Sequence, residues 1–216
     1  MAQVKRPYDA TRRQEQARAR RRSVVEAARE LFERDGFRAT TIAGIAARAG
    51  VSPQSVYQGF GSKAALAKAV FDLVLAGDDE PVPVAQREAM LAMREEPEVT
   101  RKIAMFVEGL AGRQARSAGV HILIRDGRHV DDALAPVWAA VSEEGLTGMR
   151  MLGAHLLETG QLRPGLDLDA TRDILWNYLA IDHYERLVLL RGWDHDRYRR
   201  WLTDALTRAL CPEEVG

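Results

Sequence analysis

Cysteine is almost absent from this 216-residue chain, with Cys211 the only one. A disulfide framework within the chain and a cysteine-rich metal site are thereby excluded, which fits a reducing compartment. Long apolar runs are also missing. The strongest, such as Leu187–Leu190, fall far short of the ~18 residues that a membrane span requires. Strict alternation of apolar and polar residues, the mark of half-buried strands, is lacking. The basic start of the chain is followed by Arg, Gln and Ala rather than an apolar stretch. No secretory signal is expected from it, no membrane partner is implied, and a cytoplasmic location is the default. G-x-S-x-G, P-loop and G-x-G-x-x-G patterns are absent, and the five histidines form no i,i+4 pair and no H-E-x-x-H. An enzyme is a poor fit, and no metal or cofactor is expected.

What is present is ordinary globular composition, 46% apolar and 29% charged, which excludes wholesale disorder and low-complexity classes. The formal net charge of zero hides an asymmetry. Residues 1–76 hold 14 Lys/Arg against 7 Asp/Glu, a net of +7, and residues 77–216 hold 17 against 24, a net of −7. Such a split points to a polyanion as partner for the first third alone.

Periodicity reads as helix nearly throughout, giving an all-α fold. Val24, Val25, Ala28, Leu31 and Phe32 line one face of a helix that Gly36 stops. Thr40 or Thr41 can cap a short helix carrying Ile42, Ile45 and Ala46 inward, and Ala49–Val51 is a tight turn. Ser52 caps a third helix with Pro53 at its first position, and Ser62 caps a fourth that carries Leu66, Val70, Phe71 and Leu75. The break from Gly77 to Pro83 divides an N-terminal domain, 1–76, from a larger one, 77–216. Helices are expected there over 84–95, 98–118, 131–158, 168–191 and 195–210; the short apolar run Val120–Ile124 fits a helix turn or a strand, and helix is favoured.

The segment Ile42–Gly59 has helix-turn-helix spacing. Ala46 is small where two helices cross, Gly50 occupies the turn, and Ile45, Val51 and Val56 supply a small core. A plain helical hairpin has the same outline, but the basic charge of this third and its arginines favour a DNA reader. The second helix of such a unit enters the major groove. Its outward residues are Gln54, Ser55, Tyr57 and Gln58. Gln reads adenine bidentately, Ser reads loosely, and Tyr reaches phosphate or a thymine methyl. Lys63 opens the next helix, where ammonium and helix N-terminus both favour phosphate. Upstream, Arg12, Arg13, Arg18, Arg20, Arg21 and Arg22 form either a solvated charge run or an arm that follows phosphates or enters the minor groove; the position of the run favours the arm.

The run from Ala27 to Asp72, with a Leu-Phe first helix ending in Asp-Gly-Phe, then Thr-Thr-Ile, Ile-Ala-Ala-Arg-Ala-Gly-Val-Ser and an aromatic-x-x-Phe before Ser-Lys, resembles the DNA-binding region of the TetR family of bacterial transcriptional regulators. The resemblance covers the first third, and the rest matches in architecture alone. It implies a homodimer that reads a palindromic operator and carries a small-molecule effector pocket. It gives Thr41 a helix-capping, phosphate-facing role, gives Gln54, Ser55, Tyr57 and Gln58 the reading role, and makes Lys63 a phosphate clamp. Two departures bear on DNA: Ala43-Gly44 replaces polar or basic residues common in the second helix, and Gln58 stands where an aromatic or His is frequent.

In the C-terminal part, Tyr198, Trp201, Leu202, Ala205, Leu206, Ala209 and Leu210 form a clean apolar stripe. The preceding helix, with Ile174, Leu175, Tyr178, Leu179 and Ile181, is apolar over more than one face and must be covered on both sides. A protomer core satisfies this. With the family resemblance included, a four-helix dimer interface through Ile174, Tyr178, Ile181, Tyr198, Leu202 and Leu206 is favoured. Gly145 and Gly148 interrupt the 131–158 stripe and mark a kink or close approach. Met105, Phe106, Trp138, Met149, Met151 and Trp176 are flexible or flat side chains suited to an adaptable pocket, to which His155 adds a polar group; taken singly, each fits plain core better, and the pocket rests mainly on the resemblance. Three functions compete: a ligand-released repressor, an enzyme, and a constitutive architectural DNA binder. The acidic C-terminal part speaks against the last, and a transcriptional activator would share the repressor's sequence features.

Overall fold

The computed structural model describes residues 8–77 and 88–212, and among them every regular element is helical. In chain order these are α1 (Tyr8–Ala39), α2 (Ile42–Ala49), α3 (Pro53–Phe60), α4 (Lys63–Ala76), α5 (Glu88–Glu95), α6 (Val99–Gly127), α7 (Ala135–Leu157), α8 (Leu168–Leu179), α9 (Ile181–Tyr184) and α10 (His195–Leu210). A π-helical stretch, Glu185–Leu190, continues α9. Gly77 to Pro83, the break read as a domain boundary, lies outside the described residues except for Gly77, as do residues 84–87 of the expected fifth helix.

Local chemistry sets the short N-terminal helices. Gly36 breaks α1 at φ 79°, a left-handed value open to glycine. Thr41, rather than Thr40, caps α2, its side chain accepting from Gly44 N at 3.0 Å. Thr40 is buried, and its hydroxyl donates to the Gly36 carbonyl at 2.8 Å, which fastens the turn after the break. Ser52, Ser62, Asp167 and Asp194 cap α3, α4, α8 and α10 in the same way as Thr41 caps α2.

Two apolar clusters form the core. The first gathers α1 to α4 around Phe32, Ile45, Ala46, Val56, Leu66 and Val70, and it also takes in Val120 and Ile124 of α6 and Val137 and Val141 of α7. The second gathers Ile103, Phe106, Leu110, Leu175, Tyr198 and Leu202 from α6, α8 and α10. Packing therefore does not divide where the chain composition divides, because α6 and α7 reach into the N-terminal cluster. The helix expected to end near 118 runs on to Gly127 and absorbs Val120–Ile124. The helix expected over 168–191 is instead broken at Ala180, whose ψ of 132° is extended. Gly145 sits where α8 approaches α7, since a Cβ there would lie 3.0 Å from Leu179 Cδ2.

A buried polar network ties the break at Ala180 to the core. Tyr198 Oη donates to Gln114 Oε1 at 2.9 Å, and Gln114 Nε2 donates to the Leu179 and Ala180 carbonyls at 3.2 and 3.4 Å. The carbonyls freed at the end of α8 are thus satisfied from α6.

At the junction of the two clusters, His121 of α6 meets the Phe71 ring of α4 edge-on at 5.0 Å and the Trp138 ring of α7 at 5.8 Å. Burial pushes the His121 pKa down to about 4, with the Arg125 charge adding to the effect and Asp182 opposing it. The neutral imidazole is therefore the folded form. The stability it contributes is present above the unfolded value of about 6.5 and is lost as pH falls from there toward 4. Between pH 7 and pH 5 this single group should remove about 2 kcal/mol. Urea unfolding at the two pH values should show a smaller difference for His121→Gln than for the native chain; an unchanged difference would show that His121 is not held neutral by burial.

Candidate nucleic-acid interface

The α2–turn–α3 unit presents the reading surface. Gly50 turns the chain at φ 68° and returns its N–H to the Ala46 and Ala47 carbonyls. Ile45, Ala46 and Val56 are fully buried between the helices. Val56 is the one buried residue of α3. Gln54, Ser55, Tyr57 and Gln58 all face solvent, and Tyr57 is 52% exposed. The Ser55 hydroxyl lies 2.8 Å from the Ser52 hydroxyl and its amide donates to the same oxygen, so Ser55 is partly engaged in capping.

Lys63 does not project toward solvent as a phosphate clamp would. Its ammonium donates to the Phe37 carbonyl at 2.7 Å and the Thr40 carbonyl at 3.0 Å, and it sits 4.2 Å from the centre of the Phe37 ring. Burial lowers its pKa, with Asp131 opposing. It joins the start of α4 to the end of α1. Nothing in the neighbouring residues signals this, because its acceptors lie more than twenty residues upstream.

Of the arginines before this unit, Arg12, Arg13, Arg18, Arg20, Arg21 and Arg22 lie on α1 itself and are exposed. Arg21 reaches α3: its guanidinium stacks 4.4 Å over the Phe60 ring and donates to the Gly59 carbonyl at 3.4 Å. A fixed positive charge thus stands at the C-terminal end of the reading helix, where it also meets the helix dipole favourably.

The side chains proposed for a pocket do not converge. Phe106 and Met149 are buried in the second core cluster. Trp138 packs at the junction, with the Arg128 guanidinium 4.8 Å over its ring. His155 is held by the buried Lys102, whose ammonium lies 3.0 Å from Nε2 and donates to the Met93 and Arg94 carbonyls at the end of α5. Met151 and Trp176 are on the surface, 54% and 44% exposed. Only Met105 borders a large cleft, one of about 830 Å³ between α5, α6 and α10.

The proposed interface residues are likewise redistributed. Ile181, Tyr198, Leu202 and Leu206 are at most 1% exposed within one protomer. They fill its own core, and no second copy can reach them. Ile174 and Tyr178 are partly buried, Tyr178 against the rings of His183 and Trp201. An apolar stripe shows that a face is covered but not by which chain, which is why the two cases look alike in sequence.

Among the described residues no three His, Cys, Asp or Glu side chains are grouped to hold a metal, and no helix is long and apolar enough to cross a membrane. Residues 24–70 match the family model of bacterial regulatory proteins of the tetR family. No curated protein matches the chain. Solved structures share the fold. FadR from Bacillus subtilis, a transcriptional regulator in complex with stearoyl-CoA, aligns with a TM-score of 0.68 at 16% identity over 87% of this chain and 97% of its own. A transcriptional regulator from Saccharomonospora viridis in complex with choline aligns at 0.65 and 18% identity, over 89% and 98%. TylP, a TetR regulator from Streptomyces fradiae, aligns at 0.65 and 24% identity, over 92% and 90%.

Replacing Lys63 by Met should separate stapling from clamping. Without the two hydrogen bonds to carbonyls, stability should fall by about 1–2 kcal/mol in urea unfolding. The salt dependence of DNA binding should stay as it is, whereas removal of a phosphate ligand would lower its slope by about 0.9. A variant of native stability with a reduced slope would restore the clamp.

Proposed function

From a tetR-family DNA-reading region on the fold of TetR-family regulators, we propose that the protein is a homodimeric transcriptional repressor, released from a palindromic operator by a small apolar or amphipathic ligand. Residues 1–76 read DNA, and residues 77–216 hold the ligand and pair the protomers. The chain is a regulator rather than an enzyme, and it works in the cytoplasm. The observation that carries the reading is the surface of α3. One buried valine anchors it, and Gln54, Tyr57 and Gln58 stand free beside the fixed Arg21 charge, in the third of the chain with net +7. Neighbours of the same fold hold stearoyl-CoA and choline, which supports a ligand-responsive C-terminal part.

Release follows from geometry. A dimer reads two half-sites about 34–36 Å apart, so a ligand releases DNA by binding better to protomers held at another spacing. Pairing falls to the faces of α7 and α8 that the protomer leaves open, where Met151 and Trp176 are exposed. Exposed large apolar side chains on neighbouring helices are the ordinary material of an interface core.

Selection from random duplexes should yield a two-fold-symmetric site for the native chain. Gln54→Ala and Gln58→Ala should select altered bases, at about 1–3 kcal/mol for each bidentate base pairing removed. Sites without symmetry, or the same site for all three proteins, would refute the reading. The pairing surface has its own check: Trp176→Arg should sediment as a folded monomer, whereas a variant that remains dimeric would move the interface elsewhere.

A further inference from the structure

The charged side chains that line the cleft between α5, α6 and α10 are three arginines, Arg113, Arg199 and Arg200, against Glu108 and Asp204. Its walls include Ala89, Met90, Ala104 and Met105, and its volume of about 830 Å³ suits a molecule of drug size. On its rim, Glu108 pairs with Arg199, and Asp204 pairs with Arg208 at 3.1 Å. Arg113 also lines the cleft, and among the described residues nothing pairs with it or accepts a hydrogen bond from it.

The backbone is shaped around this guanidinium. Gly109 lies one turn before Arg113 on α6, and a Cβ at 109 would stand 2.9 Å from Arg113 Nη1. The guanidinium thus packs against the bare backbone of Gly109, and a methyl there would make its flexible end shift. Burial, with Arg116 one turn further on, pushes its pKa down to about 10, so it remains charged at neutral pH with no anion among the described residues to offset the cost. A desolvated cation facing an open apolar cleft is a half-made ion pair.

The geometry points to the missing half: the cleft binds an organic monoanion, a carboxylate on an apolar body, with the carboxylate on Arg113 over Gly109 and the body against Met90 and Met105. A single planar fork matches a carboxylate bidentately. Arg200 also lines the cleft but is exposed, so the one desolvated guanidinium balances the charge of a monoanion and leaves half of a dianionic phosphate's charge unpaired. This assignment deepens the ligand-released reading above. It rests on that reading for the consequence at DNA and not for binding itself.

Calorimetric titration of the full chain with octanoate, octanamide, octylamine and octyl phosphate tests it. Octanoate should bind at least about tenfold more tightly than octanamide, as expected when a charged hydrogen-bonded pair is formed out of water. Arg113→Met, close to Arg in length, should bind the two equally. Gly109→Ala, which displaces the guanidinium, should weaken octanoate and leave octanamide unchanged. The native-chain comparison needs no variant to fold. Equal affinities for octanoate and octanamide, tighter binding of octylamine or octyl phosphate, or a preference that survives in Arg113→Met would overturn the assignment. A chain that selects a DNA site yet treats the two ligands alike loses this inference and keeps the regulator reading. A chain that prefers octanoate but selects no DNA keeps this inference and loses the regulator.

Discussion

The α6 helix belongs to both cores. The 29 residues of α6 run unbroken for about 43 Å. Ile103, Phe106, Val107 and Leu110 sit in the C-terminal cluster, while Val120 and Ile124 sit in the N-terminal one. Neither cluster can be completed without α6, so neither part can move independently of it. Polar contacts fasten the same helix at further points. Arg116 donates to the Val74 carbonyl of α4 at 3.3 Å, Arg29 of α1 donates to the Arg116 carbonyl at 3.1 Å, and Arg125 pairs with Glu185 at 2.7 Å. A close-packed interior transmits a displacement rather than absorbing it.

This arrangement supplies a physical route between the cleft and the DNA-reading helices. Gly109 and Arg113 face the cleft, and His121 touches Phe71 of α4 two turns later, about 12 Å along the same rod. A ligand that settles one position of α6 over another therefore also settles the seat of α4. α4 in turn holds α1 through Lys63, and α1 holds α3 through Arg21. The coupling requires only that the ligand distinguish two positions of a rigid element.

The parts legible from sequence were those decided within a few residues. Thr41, Ser52 and Ser62 cap helices because a side-chain oxygen meets an amide three residues on. Gly50 turns the chain because its own φ is positive. The parts that resisted were decided across the fold. Lys63 has the residue type and position of a phosphate ligand, yet the Phe37 carbonyl of α1 and the Thr40 carbonyl just after it claim it. Tyr198 and Leu202 carry the pattern of a covered face, and the cover proved to be α6 and its neighbours in the same protomer. Met105, Phe106 and Met149 share a chemistry but not a place. Arg113 looked like any helical arginine; its signal was the spacing Gly109-x-x-x-Arg113, whose meaning needed the cleft beside it.

The recognition helix is anchored by a single buried side chain, Val56, with a serine cap before it and Gly61 at its end. Gln54, Tyr57 and Gln58 have no share in holding the domain together, and exchanges at such exposed positions ordinarily change stability by no more than about 0.5 kcal/mol. What the protein reads is therefore written separately from how it folds. A lineage can rewrite the exposed face of α3 through three codons while the core and the cleft are inherited unchanged.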